Sequence, residues 1–282
     1  MSTFRADMHC HSTCSDGTLT PEKILCLAKE AHLSGISITD HDTMAAYKTA
    51  TKIAKEMEIF LIPGVELSAV HKGHSIHILG YAFSEESKVM ATFCERHYQR
   101  RLNRNAMILD LLGKHSMFIE KKDVDEFSSV IPGRPHIAQA MMKKGYVRSI
   151  QEAFDKYLGE GKYCYQPGEK FTVEETLEII HRAGGLAVIA HPHQIKNQRI
   201  IKDLLSMEFD GIEGYYGRLS SELEQKWINL GKQKGLLILG GSDFHGSVKP
   251  DIHLGSSWID EETFQKIYIH YLGQNNQCTA IF

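Results

Sequence analysis

Metal-competent polar residues follow one β-like run after another in this chain, each time at the same end of the run. His9 and His11 close the first run, Asp40 and His41 follow residues 36–39, Glu66 follows 59–65, His191 follows 186–190, and Asp243 and His245 follow 236–239. Separately buried histidines would have no reason to choose the same end of every strand. In a barrel of parallel strands those ends meet at one rim, which is where such barrels place their chemistry. The first run shows the local logic. Side chains alternate faces along a strand, so His9 and His11 share a face while Cys10 points away, and two like-facing imidazoles can share one cation. Asp16 then arrives on the loop, within reach of a neighbouring ion. A His-x-His pair alone is more often a polar strand end or a chance pair; the joint pattern carries the metal reading.

The runs alternate with helical text. Thr20 can cap a helix that begins at Pro21, with Glu22 in its first turn and Gly35 as its stop. A second helix is expected through 45–57 and another around 222–234. Thr172 and Glu175 form a capping box for a helix ending near Gly184-Gly185. Residues 75–81 read as a strand paired to the one before it, with His77 on its alternating face. From about 84 to 167 the strand signal fades and the sequence becomes helical and charged. A long helix over 85–114 carries Arg96, Arg100, Arg101 and Arg104 at helix-face spacing, and this basic face is expected to be solvated. The expected organisation is a barrel from 1–83 and 168–282 with an inserted helical module over 84–167.

At 282 residues and 42% hydrophobic, the chain can bury a core of that size. A net charge of -3 gives no bulk attraction to long duplex nucleic acid or to anionic membrane, although small anionic substrates remain compatible. Its longest apolar runs are strand-length, far below a membrane span. The six cysteines form no Cys-x-x-Cys pair, which suits a reducing cytoplasm, and Cys10 and Cys14 are expected as small buried hydrophobes. No obligate protein partner is evident.

The set His9-x-His11 with Asp16, Thr39-Asp40-His41, Gly64-Val65-Glu66, His77, Ala190-His191-Pro192 and Ser242-Asp243-x-His245 resembles the PHP family, named for polymerase and histidinol phosphatase domains. The resemblance implies an α/β fold, a distorted (β/α)7 TIM-like barrel holding two to three divalent ions. It implies His9, His11, Glu66 and Asp243 around the first ion, Glu66, His77 and His191 around the second, and Asp16, His41 and His245 around the third. Mixed imidazole and carboxylate donors suit Mn, Fe or Zn better than Ca or Mg, with Mn the first expectation.

Within the helical segment, Gly133-Arg134-Pro135-His136 followed by residues 154–158 and Gly161-Lys162 resembles a branch of stand-alone enzymes. That branch contains nucleoside 3′,5′-bisphosphate phosphatases and a 5′→3′ exoribonuclease acting on short RNA, and there Arg134 and His136 would face the substrate phosphate. His193 is left between substrate contact and support of the ligands. The expected activity is metal-dependent phosphoester hydrolysis of a nucleotide or short oligonucleotide, because clustered cations lower the pKa of a bridging water and neutralise the phosphoryl oxygens. Two alternatives stand beside it. A histidinol-phosphate phosphatase would share the rim but need not keep the insert, and a non-catalytic metal-stabilised module of nucleic-acid machinery would keep the metals without turnover.

Overall fold

The computed structural model describes residues 4–127 and 132–279, so 1–3, 128–131 and 280–282 of the expected segments lie outside the described residues. Strands β1 (Ala6–Cys10), β2 (Gly35–Ile38) and β3 (Phe60–Leu61) form one parallel sheet. Its connections are α1 (Pro21–Glu30) and α2 (Tyr47–Met57). Thr20 caps α1 by accepting the Lys23 N–H, and the missing N–H of Pro21 costs nothing at the first helical position. A second sheet takes β4 (Gly64–His71), β5 (His74–Tyr81), β6 (Leu186–Ile189), β7 (Gly211–Tyr216) and β8 (Leu237–Gly241) in that order.

The two sheets are stitched at both edges by backbone hydrogen bonds. Asp243 N–H donates to the His9 carbonyl at 2.7 Å and His11 N–H to Phe244 at 2.8 Å; on the other side Glu66 N–H reaches Asp40 at 3.2 Å and Asp42 N–H reaches Glu66 at 2.9 Å. These bonds draw the polar ends of β1, β2, β4 and β8 together.

One strand departs from the all-parallel expectation. β5 runs antiparallel to both β4 and β6, while β6, β7 and β8 are mutually parallel. The reversal has a local cause: β4 and β5 are joined by only Lys72 and Gly73, both at positive φ (48° and 84°), the geometry of a tight two-residue hairpin. Because β5 runs the other way, its ligand candidate His77 lies in mid-strand, opposite Ser68, rather than at a strand's C-terminal end.

Between β5 and β6 the chain forms α3 (Lys88–Lys114), α4 (Lys121–Asp125), α5 (Arg134–Lys143), α6 (Ile150–Ala153) and a π-helical turn, Phe154–Leu158. Helix α3 starts three residues later than expected because Ser87 accepts the Met90 N–H and caps it there. Its first half packs Met90 and Phe93 into the core under the second sheet, whereas Ile108 and Leu112 belong to a separate core with Ile119, Ile137, Met141 and Leu158. Each such fully buried side chain contributes about 1.5–3 kcal/mol of transfer free energy, so both ends of the helix are firmly held. The chain then returns through α7 (Val173–Arg182), capped by Thr172, and closes with α8 (Gln198–Leu204), α9 (Ser221–Gln233) and α10 (Glu261–Thr279). None of the described helices is long and apolar enough to cross a membrane.

The expected solvated basic face of α3 is a correction. Arg100, Arg101 and Arg104 are buried, because they sit where the helix passes from one core to the other and turn into the cleft between them; only Arg96 is exposed.

Candidate metal centre and its cleft

Glu66 is the hub of the site. Its Oε2 lies 3.2 Å from His9 Nε2, 3.0 Å from His11 Nε2 and 3.2 Å from His41 Nδ1, while Oε1 lies 2.8 Å from both His77 Nδ1 and His191 Nε2. Asp243 Oδ1 stands 3.5 Å from Nε2 of both His9 and His11. Asp16 closes the outer side, 3.4 Å from His245 Nε2, 3.7 Å from His41 Nε2 and 3.6 Å from His11 Nδ1. All nine residues expected as ligands thus meet in one place. Three groups have ligand atoms close enough for an ion: His11, Asp16, His41 and His245; His9, His11 and Glu66; and His41, Glu66 and His77. His11 and His41 each appear twice, so the sharing between groups is wider than a partition by sequence suggests.

The strand ends explain the convergence. His9 and His11 share a face of β1, and Cys10 points the other way, donating to the Ser37 carbonyl. Gly241 on β8 lies so close beneath His9 that a Cβ there would fall 2.3 Å from the His9 nitrogen, so only glycine permits the approach. Asp40, grouped with the ligands by its place in sequence, does something else. Its oxygens accept the Ser12 N–H at 2.8 Å and the Ser12 and Ser15 hydroxyls at 2.6 Å each, bracing the loop after His11.

The donor set fits cations on tautomer grounds. His9 Nδ1 is 2.8 Å from Glu213 Oε1, and an ionised carboxylate only accepts, so Nδ1 carries the proton. In the neutral ring the Nε2 lone pair then faces a Glu66 oxygen at 3.2 Å, with His11 Nε2 beside it at 3.1 Å. His245 Nδ1 likewise donates to the Asp243 carbonyl at 2.9 Å, which turns its Nε2 lone pair to Asp16. His41 Nδ1 is buried without a hydrogen-bond partner. Imidazole lone pairs aimed at carboxylate oxygens are what a shared cation resolves. Without one, protons do the same work: burial alone would lower the His9 pKa, but Glu213, Glu66 and Asp243 hold it well above its usual value. Burial would raise Glu66, and the surrounding imidazoles, His41 first, hold it well below.

Several residues here were not singled out by sequence. Glu213 lies inside β7; it holds His9 through one oxygen and accepts the His191 N–H through the other at 2.5 Å. Tyr216 and Lys249 both donate to Asp243 Oδ2, at 2.7 and 2.6 Å. His193 packs its ring 4.4 Å from that of Tyr216, and its Nδ1 is buried without a partner, beside the ligand set rather than in it.

The cluster opens onto a cleft walled by Asp16, His41 and His77 on one side and by Arg100, Arg101, Arg104 and Arg134 on the other. Arg134 opens α5, donates to the Leu158 carbonyl at 3.2 Å and lies over the Tyr165 ring at 5.3 Å. His136 is buried, and its Nδ1 accepts the Gly133 N–H at 2.8 Å, so in the neutral ring its proton is on Nε2. Burial lowers the His136 pKa, which favours that neutral form.

A histidine and carboxylate cluster at the joined ends of an α/β sheet, opening on an arginine-walled cleft, defines a metal-dependent phosphoesterase fold. The sequence pattern of the PHP domain matches residues 7–235, and the chain belongs to the PHP family. It is 33% identical over 262 residues to the 5′-3′ exoribonuclease Rnm of Escherichia coli (strain K12), covering 90% of this chain and 89% of that protein. It is 30% identical to the 3′,5′-nucleoside bisphosphate phosphatase of Chromobacterium violaceum, covering 85% of this chain and 86% of the relative. A solved structure from Bifidobacterium adolescentis, assigned as a metal-dependent phosphoesterase, superimposes with a TM-score of 0.85 at 27% identity, covering 96% of this chain and 97% of its own. The chain is accordingly a phosphoesterase, an enzyme that hydrolyses phosphate esters.

Proposed function

We propose that this enzyme hydrolyses the phosphate esters of nucleotides, with a nucleoside 3′,5′-bisphosphate or the 5′ end of a short RNA as substrate. The observation that carries this reading is the meeting of the Glu66-centred ligand cluster with the arginine wall across a single cleft. We read the two stitched sheets as one distorted (β/α)7 barrel and residues 84–167 as the module that supplies the opposite wall. His9, His11, Glu66 and Asp243 would hold one ion, Glu66, His77 and His191 a second, and Asp16, His41 and His245 a third, with Mn the first metal to test.

Bound divalent ions would neutralise the phosphoryl oxygens and lower the pKa of water at the site. The protein's own groups do the rest. Glu213 fixes the His9 tautomer, and Tyr216 and Lys249 hold the outer oxygen of Asp243, so the inner donor atoms are set before substrate arrives. Arg134, its guanidinium braced by Leu158 and Tyr165, offers its remaining N–H groups to a phosphate, and His136 offers Nε2–H. The two relatives named above support the substrate class, and the presence of the helical segment disfavours a histidinol phosphatase.

The test is a substrate panel assayed with Mn and again after chelation: adenosine 3′,5′-bisphosphate, AMP, a 5′-phosphorylated short RNA and histidinol phosphate. Release of phosphate or mononucleotide from the nucleotide substrates, lost on chelation, is expected. Turnover of histidinol phosphate alone would overturn the reading.

A further inference from the structure

The carboxylates proposed as ligands do not present their oxygens alike. Both oxygens of Glu66 face imidazoles, and so do both of Asp16. Asp243 turns only Oδ1 to the cluster, 3.5 Å from Nε2 of His9 and of His11 and 3.4 Å from His245 Nδ1. Its Oδ2 is taken from the other side, where Tyr216 donates its hydroxyl at 2.7 Å and Lys249 its ammonium at 2.6 Å. A carboxylate oxygen has two lone pairs, and two donors fill them.

The fold fixes both donors independently of Asp243. Tyr216 ends β7, is buried, and packs its ring 4.4 Å from that of His193. Lys249 follows a short turn, Gly246–Val248, which is pinned to the segment before α1 because Ser247 N–H donates to Thr18 Oγ1 at 3.0 Å. Gly246 stands at φ +65°, and a Cβ there would fall 2.1 Å from Thr18 Oγ1, so the turn requires glycine. Beyond Lys249 the chain re-enters the core at Ile252, whose N–H donates to the Lys249 carbonyl at 3.0 Å. The lysine side chain is 32% exposed, yet its base is anchored on both sides and its ammonium points inward.

One donor would satisfy Oδ2; the second adds a positive charge beside a cation site. To offer both oxygens to one ion, Asp243 would have to turn about its Cβ–Cγ bond and give up two hydrogen bonds, one of them to a charge. Calcium takes roughly six to eight oxygen donors and often uses both oxygens of a carboxylate. First-row transition ions take fewer donors and accept imidazoles with a single carboxylate oxygen.

We propose that Tyr216 and Lys249 are specificity-determining positioning residues: by occupying Oδ2 they confine Asp243 to one donor oxygen and so select a first-row transition ion against Ca2+. This rests on the reading of Asp243 as a ligand given above. Both residues act through Asp243 rather than on the ion.

The experiment takes the Mn-loaded full chain and counts Mn retained per chain by elemental analysis, in one series against rising Ca2+ and in another against a chelating dye. The ratio of the two half-release concentrations measures selectivity separately from any general loss of affinity. Asp243→Ala, run alongside, defines the Mn that depends on Asp243. A hydrogen bond to a charged group corresponds to roughly ten- to a hundredfold in affinity. For the Mn on Asp243, Tyr216→Phe and Lys249→Met should therefore each lower the Ca2+ needed, relative to the dye, by about tenfold. The double variant should lower it further, and Lys249→Arg, which keeps a charged donor, should retain most of the parent's selectivity. A parent that yields its Mn to Ca2+ as readily as the double variant overturns the proposal. So do variants with a normal unfolding transition that lose Mn to both competitors in equal proportion, because the residues would then shape the site without selecting its ion. Tyr216→Phe deletes a single oxygen and decides the question if Lys249→Met fails to fold. Full Mn content in Asp243→Ala overturns the ligand reading itself; an unchanged ratio with Asp243 confirmed as a ligand overturns this proposal alone.

Discussion

Arg101, in the middle of α3, reaches across to Asp42 on the loop after β2 and donates to its Oδ2 through Nε at 2.8 Å, with both side chains buried. Asp42 also accepts the Ser68 N–H at 2.7 Å and stands at φ +57°, so one carboxylate ties α3, β4 and the His41 loop together. Breaking a buried pair costs about 3–5 kcal/mol, and because Asp42 keeps Arg100 at 3.3 Å and His97 Nδ1 at 3.1 Å the loss belongs at the lower end of that range. Arg101→Met should lower unfolding stability by about that amount in urea titration; a change under about 0.5 kcal/mol would show that the pair does not hold the helix.

A chelator-free preparation should carry more than one divalent ion per chain, since nine donor residues converge around Glu66 and Asp16. Elemental analysis measures this directly. A stoichiometry near one with full activity would sink the multinuclear site.

Asp16 faces His245, His41 and His11 but, among the described residues, makes no ion-pair or hydrogen-bond contact with Glu66. Asp16→Ala should therefore lower metal content by about one ion and slow turnover while the ions on Glu66 remain. Loss of all metal together would mean that the cluster binds as one cooperative unit.

Glu213 touches His9 and His191, two of the proposed ligands, but is not expected to bind metal itself. Partners of this kind typically tune metal affinity by about 10- to 100-fold. Glu213→Ala should weaken binding by that factor in competition with a chelating dye, and an unchanged affinity would remove it from the site.

Arg134 is expected to hold phosphate rather than metal. Arg134→Ala should keep its metal content and lose roughly two to three orders of magnitude in kcat/KM on nucleotides, with Arg134→Lys recovering part. Parent-level activity in Arg134→Ala would break the link between the helical segment and the substrate.

The residues that converge on Glu66 and the helix caps were legible in the sequence because both are local. A residue at the end of a strand is placed by the strand, and a Thr before Pro21 or a Thr three residues before Glu175 caps its helix wherever that helix packs. Asp40 stands at such a strand end and braces Ser12 and Ser15 instead, since position along a strand end does not say which neighbour a carboxylate meets.

What the tertiary structure alone decided is long-range. The period-two alternation of residues 74–81 is the same whether the strand runs parallel or antiparallel, and only its pairing with β4 and β6 shows the reversal that puts His77 in mid-strand. The basic spacing on α3 is likewise the same on a solvated helix and a buried one. Its arginines are enclosed because the two halves of α3 enter different cores and the segment around Gly168 lies over the junction. The sequence determined which groups could bind metal; the packing of elements far apart in the chain determined that four arginines face them.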